Sequence, residues 1–444
     1  MKRAVPALGG IAALAVVLLA LGALQRVPES TGQAAPKLGT DVSSGLLVPQ
    51  PTRDLGEAIA SLEARIDGGA GDWRSYATLG LAYLQKGTAA ADPTYYEKAQ
   101  TALKRSLEIK DSDNFEAFLG LGVLANARHD FAEGLEWGRK AALSNPSNAQ
   151  ARAVSGDALT ELGRYGEAID ILQEMVDLRP SMSAYARVSY ARELHGDVSG
   201  ARRAMEMALD SAGSSSDGAW AAYQLGELHF NNGRVAEAEH EYRRALYLAP
   251  GYAPARAGLA KIIAAKRRPG EAIAILKPAT TRYPSPELVI LLGDLYRLDG
   301  RDQQAQRQYA LLQAIQRLYR ANRVNNDLEL SLFNSDHGLD TDRALRLAQA
   351  EYARRQSVHV ADALGWALYA NDRFSEARRF SREALRLGTR NALFHFHAGM
   401  IELELNHREQ ARVHLRKALD INPHFSFLHA ATARDALEEL GGAR

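Results

Sequence analysis

Residues 151–182 read ARAVSGDALTELGRYGEAIDILQEMVDLRPSM, and this stretch decides the fold. Its apolar residues recur with the period of an α-helix, in two runs with short punctuation between them and a closing Pro180. Segments 115–148 and 219–252 repeat the same order of small, apolar and helix-breaking residues. Self-similarity at a nearly constant period of this length indicates a chain of stacked helix pairs.

Two positions that hold small residues test the register of this repeat. The first opens the second helix of each pair and recurs at nearly equal steps along the chain. Its occupants are Ala99, Gly134, Ala168, Ala201, Ala238, Ala272, Ala305, Ala344, Ala377 and Ala411. The other position, inside the first helix, is held by Gly80, Gly122, Gly156, Gly226, Gly293, Gly365 and Gly399. Small residues at both positions allow the two helices to pack closely.

The pattern resembles the tetratricopeptide repeat, a helix–turn–helix unit of about 34 residues. The resemblance covers roughly residues 73–425. It implies an all-α, right-handed superhelical solenoid of about ten repeats, in which each repeat packs on its neighbours. Segment 426–440 resembles the capping helix that closes such arrays.

Departures from the repeat predict the domain organisation. We expect an N-terminal signal anchor or signal peptide over residues 1–24 and a Pro-rich, disordered linker over 25–53. The repeats then form two blocks, 54–212 and 217–444, because SAGSSSDG at 211–218 predicts a flexible joint. KGTAAADPT at 86–94 predicts a lengthened turn inside the first complete repeat.

Residues 4–24 carry no charge and follow Lys2 and Arg3. Such a stretch can span roughly 30 Å of hydrocarbon, and the preceding cations favour a cytoplasmic N-terminus. A cleaved signal peptide also begins with a basic segment, so it remains the alternative. The sequence therefore predicts a single-pass membrane protein with its repeats in the periplasm or outside the cell, or else a secreted protein.

Composition excludes several classes of function. Lys plus Arg total 54 and Asp plus Glu total 53, which gives a net charge of +1 and argues against a nucleic-acid partner. The chain has no cysteine, so it has no disulfide, thiolate nucleophile or Cys-ligated metal. P-loop, nucleophile-elbow, zinc-protease, dinucleotide-binding and EF-hand motifs do not occur. We therefore expect no enzyme, no cofactor and no metal, and interpret the histidines, eight of twelve of which lie beyond residue 336, as structural.

The resemblance places the binding surface on the inner face of the first helix of each repeat, at its positions 2, 5, 9 and 12. Repeats five, nine and ten carry the most aromatic residues there. The groove candidates are Trp220, Tyr223, Glu227, Phe230, Asp362, Trp366, Tyr369, Phe396 and Met400. Because neighbouring first helices also pack on one another, each of these aromatics is either core or ligand contact.

The expected function is a non-catalytic scaffold that binds a peptide or protein in the concave groove. Membrane attachment would come from residues 4–24. The alternative is an accessory subunit of an envelope secretion or polysaccharide-export system. Neither the basic clamp of chaperone-binding relatives nor the Asn ladder of glycosyltransferase-linked relatives is recognisable, so the resemblance names no partner.

Overall fold

The computed structural model describes residues 55–441. Over this range the chain forms 22 α-helices and one π-helical turn, with no strand. Twenty helices form ten antiparallel pairs, each with a helix A and a helix B, and one further helix stands at each end. The predicted all-α repeat solenoid is therefore confirmed, whereas segments 1–24 and 25–53 lie outside the described residues.

The helices follow one another with short connections. The first half comprises α1 Leu55–Arg65, the π-helical turn Ile66–Ala70, α2 Trp73–Ala90, α3 Thr94–Ile109, α4 Phe115–Ala127, α5 Phe131–Ser144, α6 Ala149–Glu161, α7 Tyr165–Leu178, α8 Met182–Leu194, α9 Val198–Asp210 and α10 Ser215–Asn231. The second half comprises α11 Val235–Leu248, α12 Ala253–Ala265, α13 Pro269–Arg282, α14 Pro286–Leu298, α15 Asp302–Ala321, α16 Asp327–His337, α17 Thr341–Arg354, α18 Val358–Tyr369, α19 Phe374–Ala384, α20 Ala392–Glu404, α21 Arg408–Ile421 and α22 His429–Glu439. Helices α2 to α21 make up the ten repeats.

Small residues lie where helix A meets helix B. A Cβ atom on Gly226 of α10 would come within 2.6 Å of the ring of Tyr242 on α11, so only glycine fits this contact. The alanines that open the B helices are almost fully buried, and Ala168 has only 2 % of its surface exposed. Each repeat thus buries its small residues against its own partner helix, and stacking between repeats supplies the rest of the core.

The first repeat departs from the predicted lengthened turn at 86–94. Helix α2 continues through this segment to Ala90, and the chain turns at Ala91, which has a φ of 51°. Thr88 is buried and its Oγ1 donates to the carbonyl oxygen of Leu84 at 3.0 Å. The prediction of a turn from Gly87 onward was wrong because three successive alanines favour helix and the neighbouring α3 covers Gly87.

The solenoid winds so tightly that one superhelical turn packs on the next. The A–B turns of repeats two to five contact the loops before α16, α18, α20 and α22, which lie in the second half of the chain. Tyr165 Oη accepts from the backbone N–H of Val358 at 2.8 Å, and Asn422 Nδ2 donates to the carbonyl oxygen of Phe230 at 2.8 Å. We call this line of contacts the seam.

At the seam, a glycine adopts a backbone conformation that allows close contact, and a buried ion pair lies beside it. Gly163 has a φ of +78°, and a Cβ atom there would lie 2.4 Å from the carbonyl oxygen of Gln356. Beside it, the buried Arg355 pairs with both Glu161 and Glu351. Burial opposes ionisation of Glu351, but Arg355 and Arg354 outweigh it and lower the pKa of Glu351 to about 2. The seam is therefore a specific interface within the chain.

The joint predicted at 211–218 is a short connection between α9 and α10. Met205 and Leu209 on one side of it share a buried cluster with Trp220 and Leu225 on the other. The division into two blocks remains a prediction. The predicted capping helix at 426–440 corresponds to α22 His429–Glu439.

The predicted membrane localisation needs correction. Within residues 55–441 no helix is both long and apolar enough to cross a membrane. Even the 20-residue α15 carries Arg307, Arg317 and Arg320, and charged side chains are costly in hydrocarbon. The predicted single-pass localisation is therefore wrong, because none of the helices that the structure describes could cross a membrane. Residues 4–24, which suggested it, lie outside the described residues.

Candidate functional site

The superhelix encloses a cavity of about 330 Å³. Its wall comes from the inner faces of the A helices, from B-helix residues such as Tyr96 and Tyr319, and from the loops that form the seam. Lining residues extend from Gly87 in the first repeat to Phe427 before α22. Because both ends of the array contribute, the seam contacts complete the wall. A cavity of this size lies in the range of ordinary ligand sites.

The stripe predicted in repeat five divides between the cavity and the core. Tyr223, Glu227 and Phe230 line the cavity. Trp220 does not: only 2 % of it is exposed, and it packs among the small residues of repeats five and six. In the repeat numbering, in which Trp220 is position 2, positions 5, 9 and 12 therefore face the cavity. Position 2 instead supports the neighbouring helix.

The stripe in repeats nine and ten is largely covered by the last helix, although its first residues, His359 and Leu393, line the cavity. Trp366, Phe396 and Met400 share one buried cluster with Ala433 and Ala436 of α22. Trp366 Nε1 donates to Asp336 Oδ1 at 2.8 Å, and its ring stacks on Tyr369 with centroids 4.5 Å apart. The groove candidates Asp362, Trp366, Tyr369, Phe396 and Met400 are not among the residues that line the cavity.

Buried histidines of the C-terminal repeats contact aspartates. His397 Nδ1 lies 3.0 Å from both carboxylate oxygens of Asp362, and His429 Nε2 lies 3.1 Å from Asp336 Oδ1. His337 Nε2 lies 2.9 Å from Asp294 Oδ1 in the same way. The His397 and His337 contacts join successive A helices, and the His429 contact joins α22 to α16, so the three histidines have a structural role in the stacking of the last repeats.

Glu227 is the best-defined polar group of the cavity wall. Lys261 Nζ donates to both of its carboxylate oxygens at 2.7 Å, and Tyr242 Oη donates to Oε1 at 2.6 Å. Lys261 also lies over the ring of Phe230, 4.8 Å from its centroid. The charge of Glu227 is thus balanced within the wall, and this cluster fixes the α10–α12 contact.

Other cavity carboxylates lack such a partner. Glu193 on α8, Glu287 on α14 and Glu329 on α16 all line the cavity. Burial raises the pKa of Glu193 to about 7, against the side-chain hydrogen bond from Asn231. Burial also raises the pKa of Glu287, and that of Glu329 to about 8. These groups therefore hold protons at pH values where an exposed glutamate is ionised.

The net character of the wall is acidic. Five lining side chains are carboxylates: Glu193, Glu227, Glu287, Asp294 and Glu329. Among the lining residues of the described chain, the lysine and arginine side chains are Lys261 and Arg390, and Arg390 is exposed. Apolar side chains such as Leu288 and Leu393 fill the wall between the charges. The arrangement is suited to binding a ligand with apolar and positively charged groups.

Sequence reasoning missed these carboxylates, although the signal was present. Counted as in repeat five, Glu193 occupies position 12 of repeat four, Lys261 position 9 of repeat six, Glu287 position 2 of repeat seven and Glu329 position 5 of repeat eight. Repeats five, nine and ten were chosen for their aromatic content. Applying the same positions to every repeat finds the acidic residues.

Comparisons with known proteins agree with this architecture. Family models described as Tetratricopeptide repeat match residues 139–183 and 190–253, 232–295, and 392–425. Among solved structures, human IFIT1 in a dimer with PPP-AAAA covers 75 % of this chain and 78 % of its own, at 15 % identity and a TM-score of 0.46. The APC/C hetero-tetramer Cut9–Hcn1 covers 87 % of this chain and 93 % of its own, at 14 % identity and a TM-score of 0.38.

Two curated relatives share more of the sequence. Tetratricopeptide repeat protein 36 of Homo sapiens is 35 % identical over 102 residues, which span 23 % of this chain and about half, 51 %, of the human protein. The Bos taurus protein of the same name is 32 % identical over 144 residues, which span 31 % of this chain and 73 % of the bovine protein. With ten helix pairs in one register and these matches, the chain belongs to the tetratricopeptide repeat family.

Proposed function

We propose that this protein is a non-catalytic scaffold that binds a segment of a protein partner inside its superhelix. The observation that carries the proposal is the cavity inside the superhelix, whose lining includes inner positions of successive A helices. Binding in a preformed site of this kind requires little rearrangement of the receptor. The ten repeats with α1 and α22 account for the described chain, which supports a binding role rather than a catalytic one.

The lining also supports a peptide as ligand. Gln224 is only 7 % exposed and lines the cavity, and its Nε2 has no hydrogen-bond partner. A buried donor without an acceptor is costly, and a peptide carbonyl would satisfy it. Apolar side chains beside this donor offer contacts for the side chains of the same segment.

Site-specific photo-crosslinking tests this function. The photoreactive residue p-benzoylphenylalanine would replace Tyr223, which lines the cavity, or Tyr247, which is 85 % exposed on helix B. We expect the variant at position 223 to crosslink to a partner in cells that express the full-length chain, and the variant at 247 not to. Equal crosslinking at both positions, or crosslinking at 247 alone, would place binding on the outer surface and refute the proposal.

The alternative function, an accessory subunit of an envelope secretion or polysaccharide-export system, remains a prediction from the sequence. It would place the same cavity in a larger assembly. Identification of the residue-223 crosslink by mass spectrometry is also the measurement that would support it.

A further inference from the structure

Five residues of the cavity form a distinct acidic pocket. Glu287 begins α14 and Glu329 begins α16, while Tyr96, Tyr283 and Tyr319 come from α3, the end of α13 and α15. All five line the same cavity, and Tyr319 interacts electrostatically with the other four. Four separate repeats therefore meet here, and we call this group the acidic pocket.

The charges around the acidic pocket are unbalanced. Arg355 acts electrostatically on Glu329, but Arg355 is already paired with Glu161 and Glu351 at the seam. Glu351 and Glu287 are the other side chains that act on Glu329, and both are carboxyl groups that raise its pKa. The basic residue Lys261 of the cavity is held by Glu227.

Two buried polar atoms of the cavity have no hydrogen-bond partner within the protein. Oε2 of Glu329 is shielded from solvent and has no hydrogen-bond partner. Nε2 of Gln224, in the same cavity, is also buried and unpartnered. Buried polar atoms are normally hydrogen-bonded. A ligand that donates a hydrogen bond to Glu329 Oε2 and accepts one from Gln224 Nε2 would satisfy both atoms. A peptide with a cationic side chain has both groups.

The tyrosines add a second reason for a cation. Aromatic rings attract ammonium and guanidinium groups through their negative faces, and the attraction is stronger when water is excluded. Three tyrosines beside two carboxylates therefore form a site for a positive group that carries an alkyl chain. Burial disfavours the ionised forms of Glu287 and Glu329, and an incoming cation would favour their ionisation.

We propose that the acidic pocket receives a lysine or arginine side chain of the bound peptide, and that Glu287 and Glu329 recognise it. The inference rests on the proposed function, because it names the chemistry of the segment that the cavity binds. A lysine or arginine flanked by apolar residues would match the acidic and apolar parts of the wall.

Selection from a library tests the inference. Random dodecapeptides displayed on phage would be selected on the full-length protein and, in parallel, on the double variant Glu287→Gln, Glu329→Gln. We expect selected peptides to share a lysine or arginine next to apolar residues, and we expect the double variant to lose that enrichment. The matched control is Glu136→Gln, a change on the exposed face of α5 that should leave the selection unaltered.

The outcomes separate this inference from the proposed function. Selected peptides that bind the cavity but show no basic residue would overturn the cationic pocket and leave peptide binding intact. If no peptide is selected, the proposed function fails, and this inference fails with it. A melting temperature for the double variant at or above that of the parent would show that lost enrichment is not lost folding.

A synthetic peptide from the selection sharpens the test. Replacing its basic residue by norleucine should weaken binding to the parent protein at least tenfold and should change binding to the double variant little. Equal weakening for both proteins would place the cation elsewhere in the cavity. Tighter binding of free spermidine than of the peptide would show that a polyamine, not a peptide, is the source of the positive charge.

Discussion

The inner stripes of repeat five and of repeats nine and ten are defined by the same positions of helix A. In the structure, however, different elements pack against them. In repeat five, Tyr223 and Phe230 line the central cavity. In repeats nine and ten, Trp366 and Phe396 also occupy inner positions, equivalent to Glu227 and Tyr223, yet α22 packs on them and His429 stacks on Phe396 with centroids 4.7 Å apart. An inner position is thus a binding position only where no helix of the same chain covers it.

The comparison also separates two uses of buried polar groups. Near α22, Asp336 is satisfied by Trp366 and His429, so its cluster is complete without a ligand. In the cavity, Glu329 and Gln224 retain unpartnered atoms. Complete clusters stabilise the stack, whereas incomplete ones carry an energetic cost that binding can remove. Unpartnered atoms also occur in the core, at Trp220 Nε1 and His397 Nε2, so a candidate site is marked by an unpartnered atom on a residue that lines the cavity.

The largest effect should follow from removing α22. A chain that ends at Phe427 keeps the Asn422 seam contact but uncovers the apolar face of repeat ten. We expect a loss in the free energy of unfolding greater than the roughly 3–5 kcal/mol of a single buried aromatic, together with self-association, because terminal repeats need a polar cap. Thermal unfolding and analytical ultracentrifugation measure both effects. A monomer with unchanged melting temperature would show that α22 does not cap the array.

The next largest effect should come from Trp366→Ala. The substitution removes a buried ring that stacks on Tyr369 and on His397, and it leaves Asp336 with one donor fewer. We expect a loss of about 3–5 kcal/mol in the free energy of unfolding, measured by urea titration. Tyr247→Ala is the control, since Tyr247 is 85 % exposed and should change stability by less than about 0.5 kcal/mol. Equal effects of the two changes would contradict the covered stripe.

The sequence predicted the repeats better than it predicted the site. Small residues at nearly equal steps revealed the register, because close helix packing demands them wherever a pair forms. The seam could not be predicted, since the contact of Gly163 with Gln356 depends on small rotations summed over successive repeats. Which inner stripe faces the cavity depends on that winding too, and therefore Trp366 and Tyr223 could not be distinguished in advance.

A smaller effect, at most about 1.4 kcal/mol for each pH unit, is expected from the titration of Glu329. Its pKa is about 8 in the folded chain and near 4.5 when exposed, so between these values the unfolded state loses a proton that the folded state keeps. This group therefore lowers stability as the pH rises from about 4.5 to 8, with a limiting slope of about 1.4 kcal/mol per pH unit.

Glu329→Gln removes this titration. We expect the variant to match the parent near pH 4 and to become progressively more stable than the parent up to about pH 8, above which the difference stays constant. Urea unfolding at a series of pH values measures it, with Glu136→Gln as the exposed control. A difference that is independent of pH would mean that Glu329 is ionised in the empty cavity.

The smallest effect on stability, with a large effect on binding, is expected from Tyr223→Ala. Tyr223 is half-buried and contacts the rings of Tyr242 and Tyr252 at centroid distances of 6.1 and 5.8 Å, so its loss should cost about 1–2 kcal/mol. Removing an aromatic anchor from a binding site commonly costs about 2 kcal/mol or more of binding energy, which is about thirtyfold in affinity. Affinity for a library-selected peptide, measured by fluorescence anisotropy, tests this.

Trp220→Ala is the matched comparison on the same helix, because Trp220 shares the stripe but not the cavity. We expect it to lose about 3–5 kcal/mol of stability while its folded fraction binds the peptide normally. If Tyr223→Ala instead lowers stability as much as Trp220→Ala and leaves the affinity of the folded protein unchanged, the inner stripe of repeat five is core along its whole length. The peptide would then have to contact the cavity through the carboxylates of repeats four, seven and eight alone.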